Sequence, residues 1–217
     1  SLGCYERTLA YLIEEYAGAL PTWMMPEQVR LLPITDRAAD YCAQQAQQLR
    51  SEGIEPVAYW YNPNIHPYQE YKARRDTLMA YAPSVGVELI VQEDYGLRDF
   101  CRAVAEDIDH RCGHCYRLRL EQTARYASEH GFESFSSTLF VSPYQNHELL
   151  RQIAEEVSAQ YGVTFLYRDF RPGFRQGQQE ARELGLYMQK YCGCVFSEED
   201  RYAKQISRDM QNPEKHL

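Results

Sequence analysis

The chain has 217 residues and a formal net charge of −8, with 44% hydrophobic and 25% charged residues. This apolar content can bury a core, so we expect a folded chain, and the length favours one domain. The negative charge disfavours nonspecific binding of nucleic acid. The sequence shows neither a bilayer-spanning apolar run nor a signal-peptide pattern, so we expect no membrane association and a cytoplasmic protein with reduced cysteines.

The first fifty residues predict two helices around a linker and a strand. In order, we expect a helix at 6–20, a linker at 22–26, a strand at 29–34 and a helix at 38–49 capped by Thr35 and Asp36. We therefore divide the chain into an amino-terminal helix and linker at 1–28 and a single α/β domain with a carboxy-terminal tail helix at 29–217.

From residue 54 onward, β-rich runs alternate with helical spacing. Strands are predicted at 54–61, 87–91, 132–139 and 163–167. Helices are predicted from Pro67 onward and over 97–108, 115–129, 149–161, 178–185 and 197–211. The alternation predicts an α/β fold, a parallel-sheet sandwich with crossover helices. Since ligands bind beyond the carboxyl ends of parallel strands, the segments at 62–67, 139–147 and 168–175 are candidates for a binding site.

The first cysteine pair, Cys112 and Cys115, stands at the predicted beginning of a helix. Two thiols at this spacing can face one metal ion, and the positive end of a helix stabilises thiolates. The second pair, Cys192 and Cys194, is separated by one glycine, so it can bind metal or close into a strained disulfide. A structural zinc held by all four is the competing interpretation. Cys101 is expected to be merely buried.

Two stretches reverse the acidic balance of the chain. Residues 110–125 contain four arginines against Glu121 alone, and residues 168–175 contain three arginines against Asp169. Arginines beside tyrosines can bind phosphates and stack on bases, as in single-stranded RNA readers. The alternative is a solvated helix face with ordinary salt bridges, and the coincidence with the thiols favours the RNA interpretation.

Four motifs, in order, resemble the QueH type of epoxyqueuosine reductase over about residues 30 to 200. They are Tyr61-Asn62-Pro63-Asn64-Ile65-His66-Pro67 with Glu70-Tyr71 and Arg74; Arg111-Cys112-Gly113-His114-Cys115-Tyr116-Arg117-Leu118-Arg119-Leu120-Glu121; Thr138-Leu139 with Ser142-Pro143 and Asn146-His147; and Gly185-Leu186-Tyr187 with Tyr191-Cys192-Gly193-Cys194. The resemblance implies a fold like the nucleotide α-hydrolases (HUP-like). It also implies a cytoplasmic enzyme that reduces epoxyqueuosine in tRNA to queuosine at the wobble position.

The resemblance further implies a [4Fe-4S] cluster with Cys112 and Cys115 among its ligands. It associates Cys192 and Cys194 with a redox-active disulfide, or with metal ligation nearby. The partners it implies are tRNA carrying epoxyqueuosine and an electron donor that the sequence does not identify. Motif match and position after predicted strands add candidates for the substrate pocket: Asn62, Asn64, His66, Arg119, Ser142 and His147.

One segment departs from the family pattern, which has two adjacent cysteines just after its first strand. The nearest alignment places Asp36 and Arg37 there, with Asp40 at a later aspartate position, and a one-residue shift instead offers Thr35 and Asp36. A [4Fe-4S] cluster strongly prefers thiolates. Three hypotheses follow: rearrangement of the four cysteines around one cluster, an additional iron site completed by Asp36 or Asp40, or a noncatalytic, metal-binding homologue that contacts RNA.

Overall fold

The computed structural model describes residues 46–211 and the backbone of residues 29–31. The strands of this part are β1 (Val29–Leu31), β2 (Pro56–Trp60), β3 (Glu88–Val91), β4 (Ser134–Phe135) and β5 (Thr164–Phe165). One parallel sheet has the order β1-β2-β3, and β4 and β5 form a second parallel pair. Because β4 lies beside β1, the strands follow one another as β3-β2-β1-β4-β5. The prediction of an α/β fold with parallel strands is confirmed.

Helices connect these strands. They are α1 (Tyr68–Tyr81), α2 (Leu97–Val104), α3 (Arg111–Glu129), α4 (His147–Tyr161), α5 (Phe174–Glu183) and α6 (Val195–Gln211), and a further helical segment covers residues 46–51. Among the described residues, none of the helices is long and apolar enough to cross a membrane. The helix and linker predicted within 1–28, and most of the helix predicted at 38–49, lie outside the described residues.

Strand β2 has helices on both of its faces. Its five residues are all buried, and successive side chains of a strand point to opposite sides. Trp60 packs with Tyr71 and Leu78 of α1, whereas the Tyr59 ring packs against Tyr126 of α3 at an interplanar angle of 33°, with ring centroids 4.7 Å apart. This double coverage explains why the strand is a continuous apolar run rather than an alternating one.

The largest cluster of buried side chains joins α3 to α4 and β4. Helix α3 contributes Leu120 and Ala124 at a spacing of four residues, and α4 contributes Leu150 and Ala154 in the same way. Residues four apart share one helix face, and the small alanines let the two helices approach closely. This packing fixes the amino-terminal end of α3, which carries the first cysteine pair.

Several predicted boundaries are wrong, and the reasons are local. Helix α3 begins at Arg111 rather than at 115, and α2 ends at Val104 rather than at 108. The strand predicted at 132–139 is reduced to Ser134–Phe135. It ends early because the Ser137 side chain accepts a hydrogen bond from the Leu139 backbone N–H, which starts a short 3-10 turn.

Candidate active site

A cavity of about 610 Å³ lies where the segments after β2 and β4 meet α3, α5 and α6. This position, beyond the carboxyl ends of parallel strands, is where ligands bind in α/β folds. The wall of the cavity includes both predicted cysteine pairs: Cys112, Cys115, Cys192 and Cys194. The structure therefore brings together two motifs that are far apart in the sequence.

Cys112 and Cys115 lie three residues apart at the beginning of α3, so their side chains share one helix face. The helix terminus favours thiolates, but burial raises the pKa of Cys115 to about 12, and the neighbouring Arg119 guanidinium offsets this only in part. Cys115 ionises at neutral pH only beside a stronger positive partner, such as a metal ion.

The turn that carries Cys192 and Cys194 needs glycine between them. Gly193 has φ +135°, a conformation that L side chains rarely adopt. A Cβ atom there would lie 3.1 Å from Ile65 Cγ1 and 3.3 Å from Arg74 Nη1. The backbone N–H of His66 donates to the Gly193 carbonyl at 2.7 Å. The turn is therefore packed tightly against the segment that follows β2.

The two thiols of this turn shift each other's pKa in opposite directions. A hydrogen bond between them lowers the pKa of Cys194 and raises the pKa of Cys192, so Cys194 ionises first. Hydrogen bonds from Ser197 and Arg111 also lower the pKa of Cys194. A dithiol in which one sulfur ionises before the other can act chemically as a redox pair.

A buried ion pair holds this turn from the other side. The Arg74 side chain is fully buried and donates to Glu70 Oε1 from Nη2 at 2.5 Å and from Nε at 2.8 Å. It also donates from Nη2 to the Tyr191 carbonyl and from Nη1 to the Cys192 carbonyl, each at 3.1 Å. The Tyr187 hydroxyl donates to the other oxygen of Glu70. Helix α1 therefore fixes the backbone on which Cys192 sits.

Three residues of the cavity wall carry buried polar atoms without protein partners. Arg119 is 1% exposed, and within the described part of the chain its Nε and Nη2 donors have no hydrogen-bond partner. The same holds for Asn64 Oδ1 and Thr138 Oγ1, and all three residues line the cavity. Because buried polar groups in proteins are nearly always paired, we expect a ligand or an ordered water to supply the missing partners at these positions.

The predicted pocket residues divide into two groups. Asn64, Arg119 and Ser142 line the cavity. Asn62, His66 and His147 do not belong to its wall as described: Asn62 is fully buried, the His66 ring hydrogen-bonds to the Pro63 carbonyl, and the His147 ring hydrogen-bonds to the Ser142 carbonyl. Their predicted contact with substrate stays a prediction. Asp36 and Asp40 lie outside the described residues.

Sequence reasoning missed several residues of the site. Arg74 was part of a motif, but no local pattern showed that it would reach Cys192. Arg182, Lys190 and Arg201 line the cavity and belong to neither basic stretch. Lys190 stands two residues before the second cysteine pair, and this proximity was the one available signal.

The four thiols match the donors that a [4Fe-4S] cluster takes in kind and number. Within the part of the chain that the structure describes, no three His, Cys, Asp or Glu side chains are arranged as a metal site. A cluster bound by all four thiols would therefore require the two pairs to approach each other across the cavity. The unpaired donors of Arg119 beside Cys115 also fit a negatively charged group at this position.

Known proteins of one family are similar to this chain over most of its length. The family described as epoxyqueuosine reductase QueH matches residues 39–200. "Epoxyqueuosine reductase QueH" of Dehalococcoides mccartyi is 40% identical over 155 residues, covering 71% of this chain and 85% of that protein. The protein of the same name from Thermotoga maritima is 38% identical over 161 residues, covering 69% of this chain and 84% of that protein.

Among solved structures, a deacetylase of teicoplanin biosynthesis, in complex with bog, aligns over 73% of this chain and 83% of that chain. Its TM-score is 0.46 and its sequence identity is 15%. The family match covers most of the chain, and its range, residues 39–200, includes both cysteine pairs. The chain belongs to the epoxyqueuosine reductase QueH family.

Proposed function

We propose that this protein reduces the epoxide of epoxyqueuosine in tRNA to the alkene of queuosine. Family membership supports the reaction. The observation in this chain that supports it best is that both cysteine pairs line a single cavity of about 610 Å³. Such a cavity can hold a nucleoside, since small-molecule sites span roughly 300–1,000 Å³.

The second cysteine pair can supply the two electrons of the reaction. Oxidation of the Cys192–Cys194 dithiol to a disulfide releases two electrons and two protons, and conversion of the epoxide to an alkene consumes both and yields one water. The opposite pKa shifts of the two thiols support this role, because the sulfur that ionises first has a protonated thiol as its neighbour. An external dithiol or low-potential electron donor then restores the reduced pair.

We also propose that Cys112 and Cys115 bind iron as ligands of a [4Fe-4S] cluster. When bound, the cluster would transfer electrons and polarise the departing oxygen. Arg119 would offset its negative charge from the buried side. Asp36 or Asp40 would complete an additional iron site, and a single structural zinc is the alternative that metal analysis distinguishes.

The reaction is tested with anaerobically purified protein, a reductant and tRNA that carries epoxyqueuosine, with queuosine measured by nucleoside mass spectrometry. Wild type is expected to form the alkene, whereas Cys192→Ser and Cys194→Ser lose turnover. Cys101→Ser is the matched control, because Cys101 lies on α2 away from the cavity wall. Metal-loaded wild-type protein that forms no queuosine would refute the proposed activity and leave a noncatalytic, metal-binding homologue.

Metal content is measured separately, as iron, acid-labile sulfide and zinc per chain. Cys112→Ala and Cys115→Ala are expected to lose iron and sulfide together, and Cys101→Ala is expected to keep both. If a carboxylate completes an additional iron site, Asp36→Ala or Asp40→Ala loses iron but keeps sulfide. One zinc per chain without sulfide would overturn the cluster.

A further inference from the structure

The wall of the cavity has the opposite charge to the chain as a whole. The chain carries a formal net charge of −8. The described wall nevertheless contains five cations, Arg111, Arg119, Arg182, Lys190 and Arg201, against a single carboxylate, Asp200. A concave surface lined by one sign of charge concentrates ligands of the other sign. The cavity is therefore suited to a polyanion.

The five cations have different surroundings. Arg119 is buried beside Cys115, and Arg111 forms an ion pair with Asp200 at 2.5 Å. Arg182, Lys190 and Arg201 are exposed, and no hydrogen bond or ion pair within the described residues involves their side chains. They come from α5, from the segment before Cys192 and from α6. These free charges therefore surround the cavity mouth on several sides.

Many exposed arginines elsewhere have carboxylate partners. Examples in the described residues are Arg102 with Asp99, Arg117 with Glu156, Arg151 with Glu155 and Arg171 with Asp169. Cations held by such pairs have part of their charge neutralised. Arg182, Lys190 and Arg201 have no such partner among the described residues, so no carboxylate in that part of the chain neutralises their charge.

An exposed aromatic ring accompanies these cations. Tyr144 is 81% exposed and lines the cavity. Its ring packs edge-on against Phe174, with centroids 5.9 Å apart, so one face of the phenol is available. Free cations together with an exposed aromatic ring are the two components of sites that bind single-stranded nucleic acid.

We propose that Arg182, Lys190 and Arg201 bind phosphates of a single-stranded RNA segment while Tyr144 stacks on one of its bases. This assignment rests on the proposed function, since it places the RNA on both sides of a nucleoside that enters the cavity. Duplex RNA would not offer an unstacked base to Tyr144. The contacts carry no base-edge recognition, so they position the RNA rather than select its sequence.

Binding of a tRNA transcript and of its isolated anticodon stem–loop is measured by fluorescence anisotropy at several salt concentrations. The triple variant Arg182→Gln/Lys190→Gln/Arg201→Gln is compared with Lys72→Gln/Arg98→Gln/Arg208→Gln. The control removes the same charge from exposed positions outside the cavity wall. Each phosphate contact to a single strand contributes about 0.7 to the slope of log K against log salt.

The variant Arg182→Gln/Lys190→Gln/Arg201→Gln, called the rim variant below, is therefore expected to show a slope smaller in magnitude by about 2. The control triple variant is expected to keep the wild-type slope. Tyr144→Ala is expected to weaken binding about tenfold without changing the slope, because stacking carries no charge. Tyr68→Ala is its control, since Tyr68 is also exposed but lies away from the cavity. Equal slopes for the two triple variants would overturn the phosphate contacts, and unchanged binding by Tyr144→Ala would overturn the stacking.

These outcomes are separable from the proposed function. Wild type that neither binds tRNA nor reduces epoxyqueuosine refutes the function itself. Wild type that reduces epoxyqueuosine in tRNA, with a rim variant that binds like its control, refutes only the assignment of Arg182, Lys190 and Arg201. If the assignment holds, queuosine formation at limiting tRNA falls in the rim variant by the same factor as the affinity.

Discussion

Replacing Arg74 with Met is expected to destabilise the protein and to release the turn that carries Cys192. The guanidinium is fully buried against Glu70, whose side chain is 9% exposed. Removing one partner of a buried ion pair costs about 3–5 kcal/mol, because the other charge stays buried. The carbonyls of Tyr191 and Cys192 also lose their donors, at about 1 kcal/mol each.

The sum is comparable to the 5–15 kcal/mol that stabilises a typical domain, so a milder change is needed alongside it. Arg74→Lys retains a positive charge for Glu70, but one ammonium cannot reach both carbonyls as the planar guanidinium does. We therefore expect Arg74→Lys to fold and to cost about 2 kcal/mol, the value of the two carbonyl bonds. Its Cys192 thiol should react faster with a thiol reagent, because the turn is less constrained.

Urea unfolding under reducing conditions measures both costs, and a cycle with Glu70→Leu isolates the pair. The double variant Arg74→Met/Glu70→Leu leaves no uncompensated charge, so it should be more stable than Arg74→Met alone by at least about 2 kcal/mol. Arg74→Lys tests the two carbonyl bonds while it keeps the positive charge. Arg75→Met is the control, because it removes the neighbouring arginine, which pairs with the exposed Glu93. A cost below about 0.5 kcal/mol for Arg74→Lys, with wild-type thiol reactivity, would refute the role assigned to Arg74.

Two further predictions concern glycine and histidine. Gly193→Ala should destabilise the protein in urea unfolding, since its Cβ would crowd Ile65 and its φ is positive. Gly113→Ala is the control: its Cβ would meet Leu149 at an ordinary 3.6 Å, so it should be neutral or stabilising by up to about 1 kcal/mol. Equal changes in unfolding free energy for the two variants would contradict this prediction. Burial lowers the pKa of His66 in the folded protein. As the pH decreases below about 6.5, the unfolded chain therefore binds the proton before the folded chain does, and the free energy of unfolding should decrease. In His66→Gln, the free energy of unfolding should decrease less between pH 7.5 and 5.5 than in wild type. Parallel pH dependences for the two proteins would disprove this prediction.

Patterns of a few neighbouring residues correctly predicted strand β2 and the beginning of helix α1. The run at 54–61 contains β2 because its stretch Pro56–Trp60 is apolar without interruption, and Pro67 precedes α1 as a helix start. At 132–139 the same reasoning failed. Leu139 and Val141 are buried in the core, but they lie in a 3-10 turn. An apolar run indicates that its residues are buried and does not by itself indicate their backbone conformation.

The candidate site shows the same division. The cysteine pairs were predicted because each is a local motif with a chemical meaning. The contact of Arg74 with the Cys192 carbonyl spans 118 residues of sequence, and only the folded chain brings these groups together. Lys190 and Arg182 were missed for another reason: an exposed cation has no periodicity, and its role depends on whether a carboxylate lies within reach.

The distribution of charge gives the acidic composition a physical role in the proposed function. A protein with a net charge of −8 repels RNA over most of its surface, and this repulsion extends about 8 Å at physiological ionic strength. The basic wall of the cavity reverses it locally, beside the thiols. Like charges elsewhere therefore disfavour incorrect docking of the tRNA, while free cations at the mouth favour the one orientation that brings a nucleoside to Cys192 and Cys194.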